Sequence, residues 1–128
     1  MLIDVQVSSD VPVYQQIINQ VTYAIAAGAL PVGSLILSVR ELAGQLAINP
    51  NTVARAYREL ERNGVVAARR GLGMEITPDA VDLCRDQRKE LVHNRIREAI
   101  REAVRSGLPA KVIRQLVDEE LADTNGHH

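Results

Sequence analysis

The sequence predicts a mainly α fold with one small β-hairpin: a winged helix-turn-helix followed by a short C-terminal region of two helices. Three observations predict it. Apolar residues recur at three- and four-residue spacing through most of the chain. Two helix-start signals, Ser38-Val39-Arg40-Glu41 and Asn49-Pro50, lie close together. Two short apolar runs then flank the turn Arg69-Arg70-Gly71-Leu72-Gly73. Aromatic residues are only 2% of the chain, three Tyr with no Phe or Trp. The core must therefore come from Leu, Ile, Val and Ala, which suits packed helices better than a β-sandwich.

Each element follows in order. Residues 1 to 10 are a lead-in ending in the turn formers Ser8, Ser9 and Asp10. Pro12 sits at a helix start, where its missing N–H costs nothing. Val13, Tyr14, Ile17, Ile18, Val21 and Ile25 then mark one helical face, closed by Gly28, with Pro31 and Gly33 in the loop beyond. Ser38 and Glu41 form a capping box for a helix of about two turns, with Leu42, Ala43 and Leu46 as its apolar face. Asn49 caps the next helix and Pro50 opens it. Val53, Ala56, Tyr57 and Leu60 form its buried stripe, and Gly64 ends it. Val65–Ala68 and Met74–Thr77 read as strands around the arginine-bearing turn. Helix, helix-turn-helix and wing make a domain over residues 1–78.

Pro78-Asp79 separates it from residues 79–128. A helix over 79–106 carries Val92, Ile96, Ala99, Ile100 and Ala103 on one face. Gly107 and Pro109 break it, and a second helix presents Val112, Ile113, Leu116, Val117 and Leu121. Two helices cannot enclose a core of their own. Their apolar faces are expected to meet a second copy of the chain, giving a homodimer.

Composition narrows the chemistry. Among 128 residues the net charge is -1, with 46% hydrophobic and 24% charged residues, ordinary for a soluble folded chain. A single cysteine, Cys84, excludes an internal disulfide framework and multi-cysteine zinc sites, and reads as a structural helix residue. His93 stands apart from other ligand types; His127 and His128 close the sequence and carry no weight in the reading. No metal or cofactor is expected. No apolar run reaches the roughly 18 residues of a spanning helix, and no basic-then-apolar leader is seen, so a cytoplasmic location without membrane contact is expected.

The charge is unevenly placed. Residues 40–70 hold six arginines (Arg40, Arg55, Arg58, Arg62, Arg69 and Arg70) against three glutamates, whereas residues 79–128 are close to balance. Such a patch fits a phosphate-tracking surface, although a solvated helix face gives the same arithmetic. A helix that enters a DNA groove end-on presents its first turn and the next exposed turn. Asn49, Asn51, Thr52, Arg55 and Arg58 lie there. Asn51 can bond a base edge or a phosphate, Thr52 a phosphate or a thymine methyl, and Arg55 a guanine or phosphate in bidentate fashion. Asn49 can equally be only a cap, and Arg62 can pair with Glu59. Arg69 and Arg70 at the wing can reach phosphates or the minor groove, with Gly71 and Gly73 permitting the tight turn.

Several linked motifs resemble the GntR family of bacterial transcription regulators: Pro12-Val13-Tyr14-Gln15-Gln16-Ile17, Ser38-Val39-Arg40-Glu41-Leu42-Ala43, Asn51-Thr52-Val53, Ala56-Tyr57-Arg58-Glu59-Leu60-Glu61 and Arg69-Arg70-Gly71 with Gly73. The two-helix region is similar in length and pattern to that of the YtrA-type subfamily. The resemblance implies a homodimeric repressor that docks each recognition helix in a major groove of a palindromic, double-stranded DNA operator, often that of an ABC-type transporter operon. It also implies that Arg40 reaches the DNA backbone; the alternative for Arg40 is an ion pair with Glu41. The sequence departs from the family at Leu37, where proline is usual, and at Ala47, which replaces a turn glycine and is expected to cost about 1 kcal/mol in a left-handed conformation. Pro50 and Ala54 stand where arginines are common, and Met74-Glu75 brings an acid to the wing.

A winged-helix module that binds an acidic protein is the alternative, which the exposed arginines of the wing tip disfavour. An enzyme is not expected: no nucleophile stands beside a base and no glycine loop cradles phosphate. Any small-molecule effector is expected between subunits or at the helix–wing junction.

Overall fold

A computed structural model describes residues 3–125; His127 and His128 lie outside the described residues. In chain order the elements are α1 (Val13–Ala26), α2 (Val39–Leu46), α3 (Pro50–Arg62), β1 (Val66–Arg69), β2 (Gly73–Ile76), α4 (Ala80–Arg105) and α5 (Ala110–Asn125). The fold is mainly helical with one antiparallel hairpin, the class that the sequence predicts. No helix among the described residues is long and apolar enough to cross a membrane.

The core forms around α3. Its stripe Val53, Ala56, Tyr57 and Leu60 is buried, and α3 packs against α1, α2 and β1. Ile17, Ile18, Val21 and Ile25 of α1, Leu42 and Ala43 of α2, and Val66 and Ile76 of the hairpin complete one cluster. Tyr57 is its only aromatic ring, and its hydroxyl donates to the Leu37 carbonyl at 2.7 Å. That bond satisfies a polar atom which would otherwise be stranded in an apolar site. Burial, with the Glu41 carboxylate adding to it, raises the Tyr57 phenol above its ordinary range.

Local signals set the helix ends. Ser38 Oγ accepts from the Glu41 N–H and the Glu41 carboxylate accepts from the Ser38 N–H, both at 3.1 Å, so the capping box is complete. Donation to the carboxylate from the Ser38 N–H, and after it from the Ser38 hydroxyl, lowers the Glu41 pKa. Helix α2 ends at Ala47 with φ 54 and ψ 45, the only left-handed non-glycine among the described residues. The turn between α2 and α3 thus uses a conformation that glycine adopts freely and alanine does not.

Two features have no counterpart in the sequence reading. Residues 33–36 run along the free edge of β2: the Gly33 N–H donates to Ile76 O, Ile76 N–H to Ser34 O and Ile36 N–H to Met74 O, each at 2.9 Å. The lead-in is also anchored. Gln16 accepts from the Gln6 N–H and donates to the carbonyls of Gln6 and Val11, each at 2.8 Å. One turn later Gln20 accepts from the Asp4 N–H at 2.9 Å and donates back to the Asp4 carbonyl. Two carboxamides on one helix face thereby do for an extended segment what a neighbouring strand would do.

The chain divides into two compact units, the first ending at Lys89 and the second beginning at Glu90. This limit differs from the division at Pro78-Asp79 because Ala80 and Cys84, in the first turns of α4, are fully buried in the core of the first unit. The same burial pushes the Cys84 thiol up to about 11. The strand limits also shift by a residue, since Arg69 closes β1 and pairs with Gly73 rather than standing in the turn. In the second unit Gly107, at φ 85, ends α4, with the Leu108 N–H on the Ala103 carbonyl at 3.1 Å. None of its described residues is buried.

Candidate nucleic-acid interface

The exposed side of α3 follows from its buried one. With Val53, Ala56, Tyr57 and Leu60 turned inward, helical periodicity sends Asn51, Arg55 and Arg58 outward as a single stripe. All three are exposed, and Thr52 beside them is half-buried. Asn49 is the cap of α3: its Oδ1 accepts from the Asn51 N–H at 2.8 Å. The cap uses the carboxamide oxygen, and the amide nitrogen makes no hydrogen bond among the described residues.

The arginines separate into engaged and unengaged groups. The Arg55 guanidinium lies over the Tyr14 ring of α1, 3.7 Å from its centroid. Arg62 is paired with Glu59 at 3.0 Å, the alternative that its spacing offered. Arg69 is paired with Glu75 across the hairpin, because the register Ala67↔Glu75 and Arg69↔Gly73 puts the two side chains on one face of adjacent strands. Arg40, Arg58 and Arg70 are exposed and make no ion pair among the described residues. The Arg40–Glu41 pair is absent because Glu41 is committed to capping.

The wing tip is built for close approach. Arg70 and Gly71 stand in a turn closed by the Leu72 N–H on the Arg69 carbonyl at 2.9 Å. Gly71 and Gly73 have φ of 79° and 128°, values that side-chain-bearing residues adopt only under strain. Sequence reasoning missed two partners here. Tyr14 was one apolar position among several on α1, and only its proximity to Arg55 gives it a further meaning. The Arg69–Glu75 pair was foreshadowed by the acid in the wing, but pairing needed the register.

This arrangement, a helix-turn-helix followed by a hairpin, has known counterparts. The family described as bacterial regulatory proteins, gntR family, matches residues 13–76. The chain belongs to the GntR family. It is 32% identical over 125 residues to the HTH-type transcriptional repressor YtrA of Bacillus subtilis, covering 98% of this chain and 96% of that protein. A transcriptional regulator from Oenococcus oeni superposes with a TM-score of 0.74 at 32% identity, over 91% of this chain and 97% of that one. The DNA-binding domain of AraR in complex with operator ORX1 gives a TM-score of 0.53 at 20% identity, over 60% of this chain and 96% of that one, a likeness of fold alone. The chain is therefore a transcriptional regulator of YtrA type with a GntR-type DNA-binding domain, and not an enzyme.

The dimerisation residues expected from the sequence all fall in the second unit. Val92, Ile96, Ala99, Ile100, Leu116 and Val117 are exposed, while Ala103, Val112 and Ile113 are half-buried. Ile96 keeps 52% of its surface in solvent and Leu116 49%.

Proposed function

We propose that the protein is a homodimeric repressor that binds a palindromic double-stranded DNA operator in the cytoplasm. The observation that carries this reading is the stripe Asn51–Arg55–Arg58 on the outer side of α3, exposed and backed by a fully packed inner side. Asn51 and Arg55 are assigned to base edges in the major groove, where carboxamide and guanidinium groups make two-point contacts. Asn49, Thr52 and Arg58 are assigned to flanking phosphates, and Arg40 to the backbone at the start of α2. Arg70 and Gly71 meet phosphate at the wing; Arg69 joins them once its pair with Glu75 is exchanged.

Two copies are proposed because the second unit leaves Val92, Ile96, Ile100, Leu116 and Val117 in solvent, and a repeated apolar face of this kind is the usual seam of a helical dimer. Likeness to YtrA-type regulators supports repression, with an ABC-type transporter operon as the target. Footprinting on the DNA upstream of the protein's own coding sequence tests the proposal. Two protected half-sites in inverted repeat, about one helical turn or a multiple apart, are expected. A single unsymmetrical footprint, or none, contradicts it.

A further inference from the structure

We propose that Tyr14 is a positioning residue for sequence recognition: its ring holds the Arg55 guanidinium in the orientation that discriminates a guanine. The inference rests on the reading of α3 as the recognition helix.

The geometry distinguishes Arg55 from the other arginines of α3 and the wing; the one other arginine over a ring among the described residues, Arg88 on Tyr23, lies on α4. At 3.7 Å from the ring centroid, its guanidinium is within cation–π range of Tyr14. A stacked guanidinium is attracted through its flat face, and its N–H donors point outward in the plane. An ion pair does the opposite. Arg62 on Glu59 and Arg69 on Glu75 place donors on a carboxylate, and those donors must be freed before either arginine can hold a base. Arg58 makes no ion pair or ring contact among the described residues. On the recognition helix, Arg55 alone is both restrained and open.

Both properties are needed to read guanine. Two donors must meet the O6 and N7 acceptors in one plane, and a side chain ordered beforehand loses less freedom on binding. The support is itself firm. Tyr14 is half-buried on α1, whose Ile17 and Ile18 sit in the core, and α1 packs directly on α3. The Tyr14 hydroxyl makes no hydrogen bond among the described residues, so the ring is the part of the side chain in use.

The test uses the full-length protein and an operator enriched from random duplexes by the wild-type chain. Affinity is measured for that operator, for the operator with its key guanine replaced, and for an unrelated duplex. Tyr14→Phe keeps the ring and is expected to keep affinity and guanine preference. Tyr14→Leu is expected to lose about three- to tenfold on the operator, with less than twofold change on the unrelated duplex. In an Arg55→Ala background Tyr14→Leu should cost nothing more. Equal losses of Tyr14→Leu on all duplexes, additivity with Arg55→Ala, or a Tyr14→Phe loss as large as that of Tyr14→Leu each overturn the inference. An Arg55→Ala variant with unchanged operator affinity overturns the recognition-helix reading first, and the inference with it. Thermal melting of Tyr14→Leu separates lost folding from lost positioning, and Tyr14→Phe supplies the intact-ring control.

Discussion

The first and second units carry the same aliphatic pattern and treat it in opposite ways. Up to Cys84, Ile17, Val21, Leu42, Val53, Leu60 and Ile76 are essentially sealed from solvent. Beyond Glu90, Val92, Ile96, Ile100, Leu116 and Val117 follow the same spacing and remain exposed. The difference is architectural. Two helices and the hairpin converge on α3 from several directions and can enclose a volume, whereas the second unit has only the end of one helix and one more. Periodicity therefore identifies a face to be covered. It does not say whether the covering belongs to the same chain.

Four substitutions or conditions sharpen that contrast, from the largest expected effect to the smallest. Replacing Ile96 and Ile100 together by Glu should convert the proposed dimer to monomer in sedimentation velocity. Because two linked half-sites then become independent, operator affinity should fall by at least about 100-fold, while the first unit keeps its thermal transition. A double variant that stays dimeric would move the interface elsewhere. Leu42→Ala acts inside the first unit instead. It should lower the urea-derived unfolding free energy by about 2–5 kcal/mol without altering the association state.

Alkaline pH also selects the first unit. The folded Cys84 thiol is raised to about 11 from a reference of 9.0, and Tyr57 is raised as well. A raised folded pKa favours the protonated group, so this stability is complete below the unfolded pKa and is lost as pH climbs toward the folded one. Burial of Cys84 should thus cost on the order of 2 kcal/mol between pH 9 and 11, seen as a falling melting temperature that Cys84→Ala lessens. The smallest effect is a gain. Ala47→Gly relieves a left-handed backbone but adds freedom to the unfolded chain, for a net stabilisation of at most about 0.5 kcal/mol by urea titration.

Much of the first unit was legible because its signals are local. The capping box Ser38–Glu41, the Asn49-Pro50 start and the glycines of the wing turn each act within a few residues, and each is found in place. The strain at Ala47 was visible for the same reason. What the sequence did not disclose depends on tertiary register. The edge formed by residues 33–36, the carboxamide anchors Gln16 and Gln20, the Arg55–Tyr14 stack and the Arg69–Glu75 pair all join separate elements or strands. At the candidate interface, reading the sequence found the arginines but not their state of engagement. Arg69 and Arg70 are adjacent and alike in sequence, yet one is held by an acid and the other makes no ion pair among the described residues.

The central claim is that unpaired arginines of the first unit hold duplex phosphates, and the salt dependence of operator binding measures it most directly. Operator affinity of the proposed dimer, taken with about six to ten phosphate contacts, should fall by about 10³–10⁵ between 50 and 200 mM salt. Arg40→Ala and Arg70→Ala should each weaken all duplexes similarly and flatten the logarithmic slope by about one per phosphate contact removed. Slopes identical to wild type in both variants would contradict the account.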